Sequence, residues 1–155
     1  MVRNAVRARN ERGAAVVEFA LVSTLLITLV VGIMSYGYML SFRQSISQGA
    51  AEGARAAAVA VSATSRVSDA EAALNEALQS YGVSCNTSTG QLVRAGSNVG
   101  TCSVTIAACA NNGTQNCASV ALNYLYRDNA LVPSMPGVGV FLPKNLSYTS
   151  VARVS

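Results

Sequence analysis

The stretch from Phe19 to Leu40 decides what this chain can fold into. Between Phe19 and Met34 the only polar side chains are Ser23, Thr24 and Thr28, and each hydroxyl can bond to a carbonyl of its own helix, so nothing opposes a hydrocarbon environment. Roughly 22 residues at about 1.5 Å each reach about 33 Å, enough to cross the apolar core of a bilayer. The alternative is a buried core helix, but the rest of the chain offers too little apolar mass to wrap one on all sides. The run is therefore read as a membrane span.

Its flanks give an orientation. Arg3, Arg7, Arg9 and Arg12 precede the span and only Arg43 lies close behind it, which keeps the N-terminus in the cytoplasm and exports the body of the chain. Tyr36 and Tyr38 then fall at the outer interface. The expectation is a single-pass protein of the cytoplasmic (inner) membrane. A cleaved secretory signal is disfavoured, because Tyr36 to Gln48 are too bulky for a small-residue cleavage site and Ala58-Val59-Ala60 comes too late. A lipoprotein signal fails because the first cysteine is Cys85.

Glu18 is awkward at the mouth of such a helix. It follows Gly13 and the four small or apolar residues Ala14 to Val17, and it precedes Phe19. A short basic leader ending in glycine, with Glu-Phe at this distance, resembles the processing site of type IV pilins, and the Glu-Phe pair suits the Tad (Flp) branch. Downstream, Gln44 to Ala58, centred on Glu52-Gly53-Ala54-Arg55-Ala56-Ala57, resembles the end of the TadE-like segment. The resemblance covers Arg12 to about Ala58. It implies a TadE-like minor pilin or pseudopilin: a prepilin peptidase cuts between Gly13 and Ala14, and Glu18 and Phe19 serve assembly. It also implies other Tad pilus subunits and the inner-membrane assembly machinery as partners, beside the lipid bilayer, and a part in surface adhesion. Major Flp pilins are much shorter, so the length points to an accessory subunit. The rival reading is a permanently anchored surface-binding protein that never enters a filament.

The chain has 155 residues, about one domain's worth once the helix is set aside. The expected division is a basic leader at 1–13, a transmembrane and packing helix at 14–61, and a small exported head at 62–155. The formal charge of +4 is largely the N-terminal arginines facing an anionic leaflet, not a nucleic-acid footprint. There is no histidine, hence neither the usual general base nor the usual metal ligand, and no phosphate-binding glycine loop. The chain reads as a non-enzyme with no cofactor, no metal and no nucleic-acid partner.

The head is expected to be α+β: a second helix and a small antiparallel sheet of three strands. Along the first helix Phe42, Ile46, Gly49, Gly53 and Ala57 form one stripe. Gly49 and Gly53 are spaced to let another helix approach closely. Ser62 to Ser65 breaks the helix, and Ser68 with Glu71 predicts a capping box for a second one. That helix puts Ala70, Ala73, Leu74, Ala77, Leu78 and Tyr81 on one face and stops at Gly82. Strands are predicted over Thr101–Ala108, Ala118–Tyr126 and Ser147–Val154, with Asn111 to Thr114 as the turn between the first two. Leu131 to Pro143 is a connection without a class.

Four cysteines in an exported domain suggest two disulfides, with three possible pairings. Alternation chooses among them. Cys109 and Cys117 share the parity of the polar faces of two strands joined by a turn, so they pair across the hairpin. Cys102 has inward parity, which leaves it for Cys85. Asn86, Asn112 and Asn145 head sequons that in bacterial secretion read as turns.

Overall fold

The structure, a computed structural model, describes residues 3–110, 112–132 and 142–154. The chain forms two compact units, divided between Gly37 and Tyr38. Helix α1 (Arg3–Val59) runs through both. It starts well before the expected Ala14, because residues 3–12 contain no proline and carry four arginines and two alanines, which are good helix formers. In the first unit the residues from Gly13 to Val22 are all exposed.

In the second unit α1 ends at Val59, and Ser65 opens α2 (Arg66–Leu78). No side chain caps that start. The expected capping box does not form: the Ser68 hydroxyl donates to the Ser65 carbonyl at 2.8 Å. Glu71 instead reaches the turn between the first two strands, where its carboxylate accepts the Thr87 N–H at 3.2 Å and the Thr87 hydroxyl. A 3-10 turn, Gln79–Tyr81, follows α2. It stops at Gly82, whose φ of +65° lets its N–H return to the Gln79 carbonyl at 2.9 Å.

Among the described residues, five strands then form one antiparallel sheet in chain order: β1 (Val83–Asn86), β2 (Gln91–Arg94), β3 (Ser97–Cys109), β4 (Asn112–Tyr124) and β5 (Leu146–Arg153). The expected three strands are β3, β4 and β5; β1 and β2 are additional, each four residues long and too short to show a period. Their hairpin closes where Asn86 Oδ1 accepts the N–H groups of Ser88 and Thr89 at 3.1 and 3.2 Å. Ala95 and Gly96 turn β2 into β3 with φ of +50° and +80°, the backbone of a type I′ hairpin. The expected turn at Asn111 to Thr114 is displaced: Asn112, Gly113 and Thr114 belong to β4, and Asn111 lies outside the described residues, as do 133–141 of the unclassified connection.

Alternation decides which side of the sheet meets the helices. Cys102, Val120, Leu122 and Tyr124 are buried, whereas Thr101, Ser103 and Thr105 on the other face are exposed. The buried face packs on Phe42 and Ile46 of α1 and on Leu74 and Leu78 of α2 in one core. Phe42 is its centre, with its ring centroid 4.8 Å from those of both Tyr81 and Tyr124. Gly100 is fixed by the β3–β4 pairing, since a Cβ there would collide with the Asn123 carbonyl oxygen.

Candidate functional site

Gly13, Ala14, Glu18 and Phe19 lie on one continuous helix, and all four are exposed. Ala14 and Glu18 are one turn apart and therefore neighbours on its surface. Glu18 is the sole charged side chain from Gly13 to Phe42, and it makes no hydrogen bond or ion pair among the described residues. Around it Val16, Val17, Phe19 and Leu21 are 60–74% exposed. Water is a poor solvent for so much contiguous apolar surface, which calls for lipid or other helices. The hydroxyls comply: Ser23 and Thr24 donate to the Ala20 carbonyl at 3.0 and 2.7 Å, and Thr28 donates to that of Thr24 at 2.8 Å. Gly13 to Val59 contains a helix long and apolar enough to cross a membrane.

Gly49 and Gly53 sit on the stripe with Phe42, Ile46 and Ala57, and all five are buried. Their partner is α2 of the same chain. A Cβ on Gly49 would meet the Ala77 Cβ at 3.3 Å, and one on Gly53 would meet the Ala70 carbonyl oxygen at 3.2 Å. The close approach that this spacing permits is thus used inside the head.

The four cysteines are joined as Cys85–Cys102 and Cys109–Cys117. The first bridge is buried and ties β1 to β3 across β2. The second is half-buried at the end of the long β3–β4 hairpin, beside a register shift between Ala108 and Cys109.

Residues 13–55 match the family model described as TadE-like protein. The N-terminal segment is TadE-like. No curated protein and no solved structure matches the chain.

The TadE-like segment begins at the glycine that precedes Ala14 and contains Glu18, Phe19, Gly49 and Gly53. It therefore includes the exposed apolar surface and most of the stripe that carries the head, and it stops before α2. The family is associated with Tad pili, and the helix has the character of a single-pass membrane anchor. Two polar residues outside it join α2 to β1 and to the turn that follows β1 without any sequence motif. They are Glu71, bonded to Thr87, and Asn75, bonded to Cys85.

Proposed function

We propose that the chain is a minor pilin or pseudopilin of a Tad-type pilus, made as a membrane precursor with its N-terminus in the cytoplasm and its head exported. A prepilin peptidase cuts between Gly13 and Ala14, and the released helix packs into a pilus or its base through the inner-membrane assembly machinery. The head, outside the membrane, serves surface adhesion. The observation that supports this most is the TadE-like match over a helix in which Glu18, the one charged residue from Gly13 to Phe42, stands one turn after Ala14.

The chemistry of the two residues is complementary. In a membrane, a lone carboxylate near the edge of a span is unfavourable by about 1–3 kcal/mol, which roughly twenty apolar neighbours outweigh. Among packed helices away from water the same charge needs a partner. Cleavage creates one, the new α-amino group at Ala14 of a neighbouring subunit.

Intact-mass analysis of protein taken from its native membrane tests the proposal. A mass beginning at Ala14 with four cysteines oxidised is expected. A chain that keeps Met1 under conditions where pili are assembled supports the permanent anchor instead. Replacement of Gly13 by leucine is expected to leave the full-length precursor in the membrane, and normal trimming of that variant refutes the cleavage site.

A further inference from the structure

The sheet ends on β1 and β5, and its two edges differ. β1 is four residues long, and α2 closes it: Asn75 holds both backbone groups of Cys85, and Glu71 accepts the N–H of Thr87 just beyond. β5 is eight residues long, keeps an unbroken register with β4 and contains neither proline nor lysine. A bulge, a proline, a lysine or a short length is what blunts an edge against pairing, and β5 has none of them.

One hydrogen bond shows which residues face that edge. Val154 donates to the Asn116 carbonyl at 2.9 Å, and along an antiparallel strand residues two apart turn their backbone groups to the same side. Leu146, Tyr148, Ser150 and Ala152 therefore bond to β4, whereas Ser147, Thr149, Val151 and Arg153 turn their N–H and C=O groups outward. None of these outward groups has a hydrogen-bond partner among the described residues, and all four residues are exposed. β3 also runs past its neighbour β2, but there Val104 and Ile106 pack against Ala57 of α1 and Ala70 of α2.

Beside the first half of β5 a groove of about 300 Å³ opens between the edge and α1, lined by Leu40, Arg43, Gln44, Ile46, Leu146 and Tyr148 among others. The charges along the edge have one sign. Arg43 lines the groove, Lys144 precedes the strand and Arg153 ends it, all three exposed and none in an ion pair among the described residues. β5 carries no carboxylate.

We propose that this edge receives an extended, acidic segment of another protein as a further strand of the sheet. The outward groups ask for one donor and one acceptor every second residue, about 6.8 Å apart, and a polypeptide strand supplies that repeat. Paired residues share a face of the sheet. The residue of the segment opposite Tyr148 therefore points to the helix side, over the groove, and is aliphatic, while its neighbours point to the outer face, where Ser147 and Thr149 take small polar residues. Carboxylates at the ends of the segment answer Arg43 and Arg153. The site lies wholly within Tyr38–Ser155, so it depends neither on cleavage after Gly13 nor on entry into a filament.

The probe is an acetylated peptide of alternating valine and threonine with a glutamate at each end, added to the full chain in detergent while amide hydrogen exchange is followed residue by residue. Without the probe, the N–H groups of Thr149 and Val151 are expected to exchange rapidly and those of Ser150 and Ala152 slowly. The probe is expected to slow Thr149 and Val151 at least about tenfold and to leave Val104 and Ile106 unchanged. Val151→Pro removes an N–H that bonds to nothing in the chain, a substitution that edge strands tolerate; it is expected to keep the wild-type melting curve and to weaken binding on the order of tenfold. Exchanging the glutamates of the probe for lysines is expected to weaken it about fivefold. No binding at millimolar probe, equal binding by Val151→Pro, or protection at Val104 and Ile106 in place of β5 overturns the proposal. Slow exchange of Thr149 and Val151 without the probe also overturns it: protection at every protein concentration shows that the chain covers its own edge, and protection that grows with concentration assigns the edge to a second copy.

Discussion

Asn75 holds the backbone of Cys85 by both its polar groups: its amide nitrogen donates to the Cys85 carbonyl at 3.2 Å, and its amide oxygen accepts the Cys85 N–H at 2.6 Å. The side chain of α2 does for edge strand β1 what a neighbouring strand would do. An open edge is a template for pairing with another chain, and here one residue closes its middle.

Asn75→Ala leaves both groups of Cys85 without partners beside a buried disulfide. A loss of about 2–3 kcal/mol in unfolding free energy is expected, read by urea titration of the chain in detergent with its disulfides intact. Asn75→Asp keeps the acceptor and removes the donor, and is expected to lose less. Equal stability of all three proteins would show that water replaces the clamp.

How far the sequence reveals this head depends on the length of each element. The long strands were legible because Val104 and Ile106, like Val120 and Leu122, alternate with polar residues over enough positions to fix a period. The same alternation separates Cys102, facing the core, from Cys109 and Cys117 on the polar side. Strands of four residues carry no such signal, and the turn that joins β2 to β3 places alanine at position 95, where asparagine or aspartate would advertise a type I′ hairpin. Ser68 and Glu71 have the spacing of a capping box, but Glu71 gains more from Thr87, which only the tertiary fold brings near. Asn75 was invisible for a similar reason: a polar residue in the middle of an amphipathic helix reads as solvent-facing. In the candidate site, Glu18 stood out because its charge is isolated, while the occupant of the Gly49 and Gly53 face, α2, was not readable from spacing.

The two disulfides are expected to contribute unequally. They close loops of 17 and 8 residues, worth about 3 and about 2.5 kcal/mol by chain entropy. Replacing Cys85 and Cys102 by serine also buries two hydroxyls, a further loss of about 1–3 kcal/mol. Cys109→Ser with Cys117→Ser should therefore leave a folded, less stable head, whereas the other double variant should lose most of its cooperative unfolding transition. Matching melting curves for the two would contradict this ranking.

Burial raises the pKa of Tyr126, and the neighbouring Tyr124 and Tyr38 raise it further; burial raises that of Tyr124 as well, opposed by Arg94. The neutral phenol is the form the fold favours. The contribution to stability is complete below the ordinary tyrosine value of 10.0 and is lost as pH rises through the higher folded value. Unfolding free energy should fall above pH 10, and less steeply in Tyr126→Phe. A variant with the wild-type slope would place the alkaline sensitivity elsewhere.

For Glu18, the pilin reading expects the Glu18→Ala chain to enter the membrane and to vanish from sheared fibres and crosslinked pilus complexes. Quantitative immunoblotting of membrane and pilus fractions decides it. Wild-type recovery in the pilus fraction would leave the carboxylate as a headgroup-zone residue, where the dipole at a helix N-terminus suits an anion in any case.

Among the described residues the sheet follows chain order, β1-β2-β3-β4-β5, and the cysteines pair first with second and third with fourth, Cys85 to Cys102 and Cys109 to Cys117. A polypeptide threaded through a translocon from its N-terminal side therefore presents every strand after the partner it pairs with, and every second cysteine while the first still waits. Local contacts of this kind close quickly. If the head is exported as proposed, an oxidase that joins thiols in order of arrival makes the native bonds at the first attempt, with no disulfide isomerase needed to reshuffle them.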